Sequence, residues 1–139
     1  MDQVLLRRSY DYEEIRDIFL TPGIWECISD PFCECPETLP VYEEIYLIGE
    51  VDGAVIGLFV VDSDGKTCHI QVIPEHRKQW AIIFGKKCLQ WCVHNQINKL
   101  RALIPFAYPN VMEFALRCGF EVIDSENKAW VLKWENSEK

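Results

Sequence analysis

Residues 72–85 read Val72-Ile73-Pro74-Glu75-His76-Arg77-Lys78-Gln79-Trp80-Ala81-Ile82-Ile83-Phe84-Gly85, and the periodicity of the chain changes in the middle of them. Before Pro74, Cys68, Ile70 and Val72 alternate with His69 and Gln71, the period of two that puts them on opposite faces of a strand. After it, Trp80, Ile83, Phe84, Cys88, Trp91 and Cys92 recur at helical spacing, with Lys86, Lys87 and Gln90 elsewhere on the cylinder. Pro74 has no N–H to give a ladder and ends the strand. The spacing therefore predicts a strand over Thr67–Ile73 that turns into a helix over Lys78–Val93. Arg77 and Lys78 stand at the helix start, the end of the dipole that disfavours cations. Basic residues there suit a bound anion, because a helix N-terminus offers free N–H groups. The glycines that let a phosphate approach the backbone are missing from this turn, and Gly85 comes a turn too late.

Working outward, Asn98–Phe106 (NKLRALIPF) reads as the next strand. Strand, helix and strand over 67–106 form a crossover, which calls for parallel pairing. Upstream, Glu44–Glu50 and Val55–Val61 flank Asp52-Gly53, and Asp64-Gly65 precedes the Thr67 strand. Such pairs favour hairpin turns, so three antiparallel strands in a meander are expected. Val4–Tyr10 reads as a first strand. Asp11 as N-cap and Glu14 three residues on form a capping box for a helix through Leu20, with Ile15, Ile18 and Phe19 on its apolar face. Thr21-Pro22-Gly23 ends that helix. A short second helix around Ile24–Ser29 and a loop follow, and Trp25 with Phe32 forms either a lid over a cleft or a satellite cluster. Pro109-Asn110 opens a further helix, with Asn110 as N-cap and Gly119 as C-cap. Phe120–Ile123 and Ala129–Trp134 make a closing strand pair. One domain over 1–134 is expected, with a frayed tail at 135–139.

A net charge of −8 and a pI near 4.8 argue against direct nucleic-acid binding, which needs a basic footprint. No apolar run approaches the ~20 residues of a membrane span, and the N-terminus lacks a secretory pattern, so a cytoplasmic protein is expected. The acidic stretch Glu34, Glu37, Glu43, Glu44 is either a solvated face or an attractor for a basic substrate or partner. Seven cysteines, Cys27, Cys33, Cys35, Cys68, Cys88, Cys92 and Cys118, are odd in number and irregular in spacing. Neither the Cys27/Cys33/Cys35 group nor Cys88, Cys92 and His94 has the spacing that closes a zinc tetrahedron. Reduced, mostly buried thiols are the expected state, and no metal is expected.

The order β-α-α-β-β-β-α-β-α-β-β, the V-x-P-E-x-R pattern of Val72, Pro74, Glu75 and Arg77, and the Gly119-Phe120 ending of a later helix resemble the GNAT N-acetyltransferase superfamily. The resemblance covers residues 1–134. It looks closest to the small GNAT-like proteins of tailed bacteriophages, some acetyltransferases and some head-assembly or internal virion proteins; HIQVIPEHR and EFALRCGF carry that part. The resemblance implies a mixed, mainly antiparallel α/β sheet with helices on both faces, and acetyl-CoA as cofactor. Its contacts would be Val72, Arg77, Lys78, Gln79, Trp80, Ala81 and Ile82 at the turn, with Asn110 on the later helix.

In the enzymes that this chain resembles, the turn reads Arg/Gln-x-x-Gly-x-Gly/Ala. Arg77 matches the first position, but Trp80 and Ile82 stand where the glycines belong. The enzymes often use a Tyr four residues before the Gly of the closing Gly-Phe as general acid. Ala115 occupies that position, which leaves Tyr108 as the candidate. His69, on the fourth strand, is the candidate base, with a suitable unperturbed pKa of ~6.5. Two functions follow. One is a phage-type GNAT-fold protein, weakly active or non-catalytic, that binds phage structural proteins in the host cytoplasm or the virion. The other is an acetyl-CoA-dependent N-acetyltransferase acting on an amine.

Overall fold

The computed structural model describes residues 4–21 and 42–136. The expected helix at 24–29, Trp25, Phe32, Cys27, Cys33, Cys35, Glu34 and Glu37 lie outside them. The described elements are β1 (Leu5–Arg8), α1 (Tyr12–Phe19), β2 (Ile45–Val51), β3 (Ala54–Val61), β4 (Cys68–Val72), a 3-10 turn (Pro74–His76), α2 (Arg77–His94), β5 (Lys99–Pro105), α3 (Pro109–Cys118), β6 (Glu121–Glu126) and β7 (Ala129–Glu135). The strands form two antiparallel sheets, ordered β1-β2-β3-β4 and β5-β7-β6. Among the described residues a single parallel bridge, Thr67 to Arg101, joins them, with the Arg101 N–H donating to the Lys66 carbonyl at 2.6 Å. The crossover expected over 67–106 is present, and the fold is mixed α/β with helices on both faces. Its parallel part is one bridge rather than a ladder. The last strand runs one residue beyond Trp134, since β7 includes Glu135, and the Asn136 N–H reaches the Asn98 carbonyl at 2.8 Å.

Helix α1 begins where expected. The Asp11 carboxylate accepts the N–H groups of Glu13 and Glu14 at 3.1 and 3.3 Å. The reciprocal half of the capping box is absent: Glu14 pairs with Arg7, which also holds Glu50, while the Asp11 N–H goes to Ser9 Oγ. Eight residues are too few for a helix to persist alone in water. Docking supplies the stability: Ile15, Ile18 and Phe19 are buried against Tyr46, Ile48, Leu58 and Val60, at roughly 1.5–3 kcal/mol for each large apolar side chain.

The opposite face of the first sheet carries α2. Leu47, Ile56, Phe59 and Val61 share a core with Phe84, Cys88 and Cys92. A bulge interrupts the β2–β3 register between Gly49 and Glu50, which face Gly57 and Val55. Ile56, the extra residue, stays on the α2 side beside Gly57. Gly49 and Gly57 are paired across the strands, and the Phe84 ring lies on both. A Cβ on Gly49 would sit 2.5 Å from the ring, and one on Gly57 2.8 Å from it.

The Asp52-Gly53 turn has positive φ at both residues (51° and 83°), as a two-residue hairpin requires. The Asp64-Gly65 turn is built differently. Only Gly65 has positive φ there, and the Asp64 carboxylate accepts the N–H groups of Lys66 and Thr67. In the second sheet, Ile104 and Leu132 pack against Ala115 of α3. Tyr108, not Asn110, is the N-cap residue of α3, and its side chain makes no capping bond. Pro109, with φ already set for a helix, takes the first helical position and pushes Asn110 inside the first turn. Gly119 ends α3 with φ 109°.

Cys68, Cys88, Cys92 and Cys118 are buried free thiols, whereas His94 is exposed. Burial pushes all four thiols up, Cys92 to about 12 and Cys118 to about 11, so none is a thiolate nucleophile near neutral pH.

Candidate functional site

The crossover from β4 to β5 sets the first feature. The two strands run parallel and are bonded only at Thr67–Arg101. Past that point β4 pairs with β3 and β5 pairs with β7, with no ladder between β4 and β5 among the described residues. The sheets therefore part toward the ends of the two strands, and β4 borders the split.

The helix that opens at the end of β4 is longer than its periodicity predicts. Pro74 starts a 3-10 turn that runs into α2, with the His76 N–H on the Ile73 carbonyl at 2.8 Å and the Arg77 N–H on the Pro74 carbonyl. Two amides at the turn are thereby used by the backbone. Arg77 bends back, its Nε donating to the Val72 carbonyl at 2.9 Å, and Val72 is buried. Arg77, Lys78 and Gln79 are exposed, and no acidic residue lies in the first turn of α2. Trp80, Ala81 and Ile82 are half-buried and pack against the first core, so the side chains at the two glycine positions are large and tied to the interior. This end of the helix offers positive charge, with large side chains at Trp80 and Ile82.

Tyr108 and Asn110 lie at the far side of the crossover. Tyr108 is half-buried against Ile104, Ala115 and Leu132, and Asn110 is exposed. Ala115 is 7% exposed and faces the second sheet.

His69 has company that the sequence did not announce. Its Nε2 is 3.2 Å from Asp62 Oδ2. Tyr46, fully enclosed, donates its O–H to Glu44 Oε1 at 2.7 Å, and Asp62 lies near enough for its charge to be felt at Glu44. Burial pushes the Glu44 carboxyl above its ordinary value; Tyr46 opposes this and the Asp62 charge adds to it. A raised folded-state pKa gives stability that is present in acid and is lost as pH rises through that value. Glu44→Gln, which cannot ionise, is therefore expected to gain on the wild-type chain between about pH 4 and about pH 7.5. Urea unfolding of both chains at the two pH values checks this, and a stability gap that stays flat with pH would contradict it.

An acidic groove of about 410 Å³ lies between α1 and the first sheet, lined by Asp11, Glu13, Glu14, Asp17 and Ile18 with Val55 and Ile73. No helix among the described residues is long and apolar enough to cross a membrane.

No family model and no curated protein matches the chain. Solved structures do. The spermidine N-acetyltransferase of Vibrio cholerae, in complex with CoA and spermine, is 17% identical with a TM-score of 0.72, covering 97% of this chain and 96% of that one. The N-acetyltransferase PseH of Campylobacter jejuni is 14% identical with a TM-score of 0.70, covering 98% and 100%. The aminoglycoside acetyltransferase AAC(6')-Ib, in complex with coenzyme A and kanamycin, is 14% identical with a TM-score of 0.72, covering 95% and 94%. At these identities the likeness shows the fold, and the fold is that of the GNAT N-acetyltransferases.

Proposed function

We propose that this chain is a GNAT-fold protein that retains the acyl-CoA split but holds acetyl-CoA poorly, so that acetyl transfer is slow or lost, and that it acts mainly by binding protein partners, as in phage head assembly or DNA delivery. The observation that carries this reading is the start of α2. Trp80 and Ile82 fill the two positions where a pyrophosphate needs bare backbone, Arg77 is turned onto Val72, and Ala115 replaces the phenol of a general acid. Fold alone does not decide activity.

The second reading, an acetyl-CoA-dependent N-acetyltransferase acting on an amine, is favoured by the split beside β4, the His69–Asp62 pair and the acidic groove. Under it His69 would be the base, Tyr108 the acid, and the exposed Arg77, Lys78 and Gln79 the counter-charges and donors for the phosphates. Asn110 would be a further contact.

Thermal unfolding with acetyl-CoA and with CoA separates the two. A ligand present at ~100 times its dissociation constant stabilises by about 2.7 kcal/mol. The first reading expects a clearly smaller shift at millimolar CoA. A full shift accompanied by acetylation of an amine would replace it with the second.

A further inference from the structure

Tyr46 of β2 and His69 of β4 lie on one face of the sheet with Glu44, just before β2, and Asp62, just after β3. Tyr46 is level with Val60, and Val60 with His69. Glu44 and Asp62 flank the paired Ile45 and Val61. Two hydrogen bonds join them in pairs, Tyr46 to Glu44 and His69 to Asp62, and the Asp62 charge is felt at Glu44. The His69 end is the most open, on the strand that borders the split, with a side-chain exposure of 47%.

The tautomer at His69 follows from satisfiability. Glu44 Oε1 accepts from Tyr46, and burial pushes the Glu44 carboxyl up. The carboxylate of Asp62 is an acceptor only. His69 Nε2 can meet it only as N–H, which leaves the lone pair on Nδ1.

We propose that Asp62 is a positioning residue that locks His69 in the Nε2–H tautomer and so presents Nδ1 as the proton acceptor for a cationic amine. In the step this serves, an N–H bond of the ammonium group breaks and its electron pair stays on nitrogen. The proton bonds to Nδ1, and the imidazolium so formed keeps Nε2–H against Asp62. The freed amine is then the nucleophile toward a thioester. This role rests on the acetyl-transfer component of the proposed function.

The test is the ring ¹⁵N spectrum of the full chain, with His69 assigned by its loss in His69→Gln. The wild-type chain is expected to show a protonated Nε2 and an unprotonated Nδ1. Asp62→Asn, whose side-chain oxygen still accepts, should keep that pattern, and Asp62→Ala should give mixed tautomers. An Nδ1–H tautomer in the wild-type chain, or an Asp62→Ala spectrum identical to wild type, overturns the proposal; the first of these needs no variant to fold. In acetylation assays, Asp62→Ala is expected to lower kcat roughly a hundredfold, within the usual range of a general base, with the KM for acetyl-CoA unchanged. An unaltered kcat would also overturn it. A wild-type chain with the locked tautomer but no response to acetyl-CoA would instead sink acetyl transfer itself, and the role toward an amine with it, while the lock stood on the spectrum.

Discussion

Phe84→Ala is expected to lower the stability of the chain by about 3–5 kcal/mol, the range for deleting a fully buried aromatic ring. Phe84 has no exposed surface, and its ring fills the space that two side chains would otherwise take at Gly49 and Gly57. The cost combines lost transfer energy with an unfilled cavity. Collapse of the cavity is resisted from both sides. Gly49 and Gly57 are held in register by the β2–β3 ladder, and α2 is held by Cys88 and Cys92 in the same core. Lys87 adds a further tie, its Nζ donating to the Val4 carbonyl at 2.9 Å. At roughly 3 °C per kcal/mol for a chain of this size, the midpoint should fall by about 10–15 °C. Urea unfolding with an unchanged m-value is the expected signature. Phe84→Leu, which keeps most of the volume, should lose much less. A loss below about 1 kcal/mol for the alanine variant would mean that the strands close over the gap, and the close packing described for this face would be wrong. The consequence for function is direct, because α2 is the element that delivers Arg77 and Lys78 to the end of β4.

Much of this architecture was legible in the residues. Alternation along His69–Val72 placed Cys68, Ile70 and Val72 toward the core, and helical spacing placed Phe84, Cys88 and Cys92 there. Asp11 capped α1 and Gly119 closed α3, since both act through bonds to neighbours within a few positions. What was hidden depends on residues far apart in the chain. Neither Gly49 nor Gly57 announces a seat for Phe84, since a glycine in a strand marks close approach without naming what approaches. The bulge at Ile56 is a two-strand property. Glu14 looked like half of a capping box, and Arg7, across a turn, took it instead. Asn110 looked like a cap because its residue type favours one, but Pro109 claimed the first helical position.

The candidate site shows the same division. His69 was visible as a titratable residue on a strand face. Its partner Asp62 was not, because it arrives through the Asp62–Thr67 turn and the β3–β4 register. The strand periodicity puts Glu44 and Tyr46 on one face, but only the ladder brings them beside Asp62. The split between β4 and β5 depends on hydrogen bonds that are not made, and no residue type encodes that.

Trp80→Gly is expected to lower the stability of the unliganded chain by about 2–4 kcal/mol and yet to tighten CoA binding about tenfold, or about 1.4 kcal/mol. The first effect follows from packing: the indole is half-buried against the first core, and glycine in a helix interior adds about 1 kcal/mol of its own. The second follows from the proposed block at the start of α2. Removing the side chain bares the backbone at the first of the two glycine positions, where a phosphate would approach the amides beside Lys78. The two effects oppose each other in a melting curve, so binding must be read as the difference between curves with and without CoA for each chain. Ile82→Gly serves as the companion, because it clears the second position without removing an aromatic ring. If Trp80→Gly loses stability and its CoA-dependent shift stays at or below that of the wild-type chain, Trp80 is there for the core alone. The proposed weakness toward acetyl-CoA would then have to arise elsewhere, from the amides of His76 and Arg77 already spent on Ile73 and Pro74 and from Arg77 being turned onto Val72.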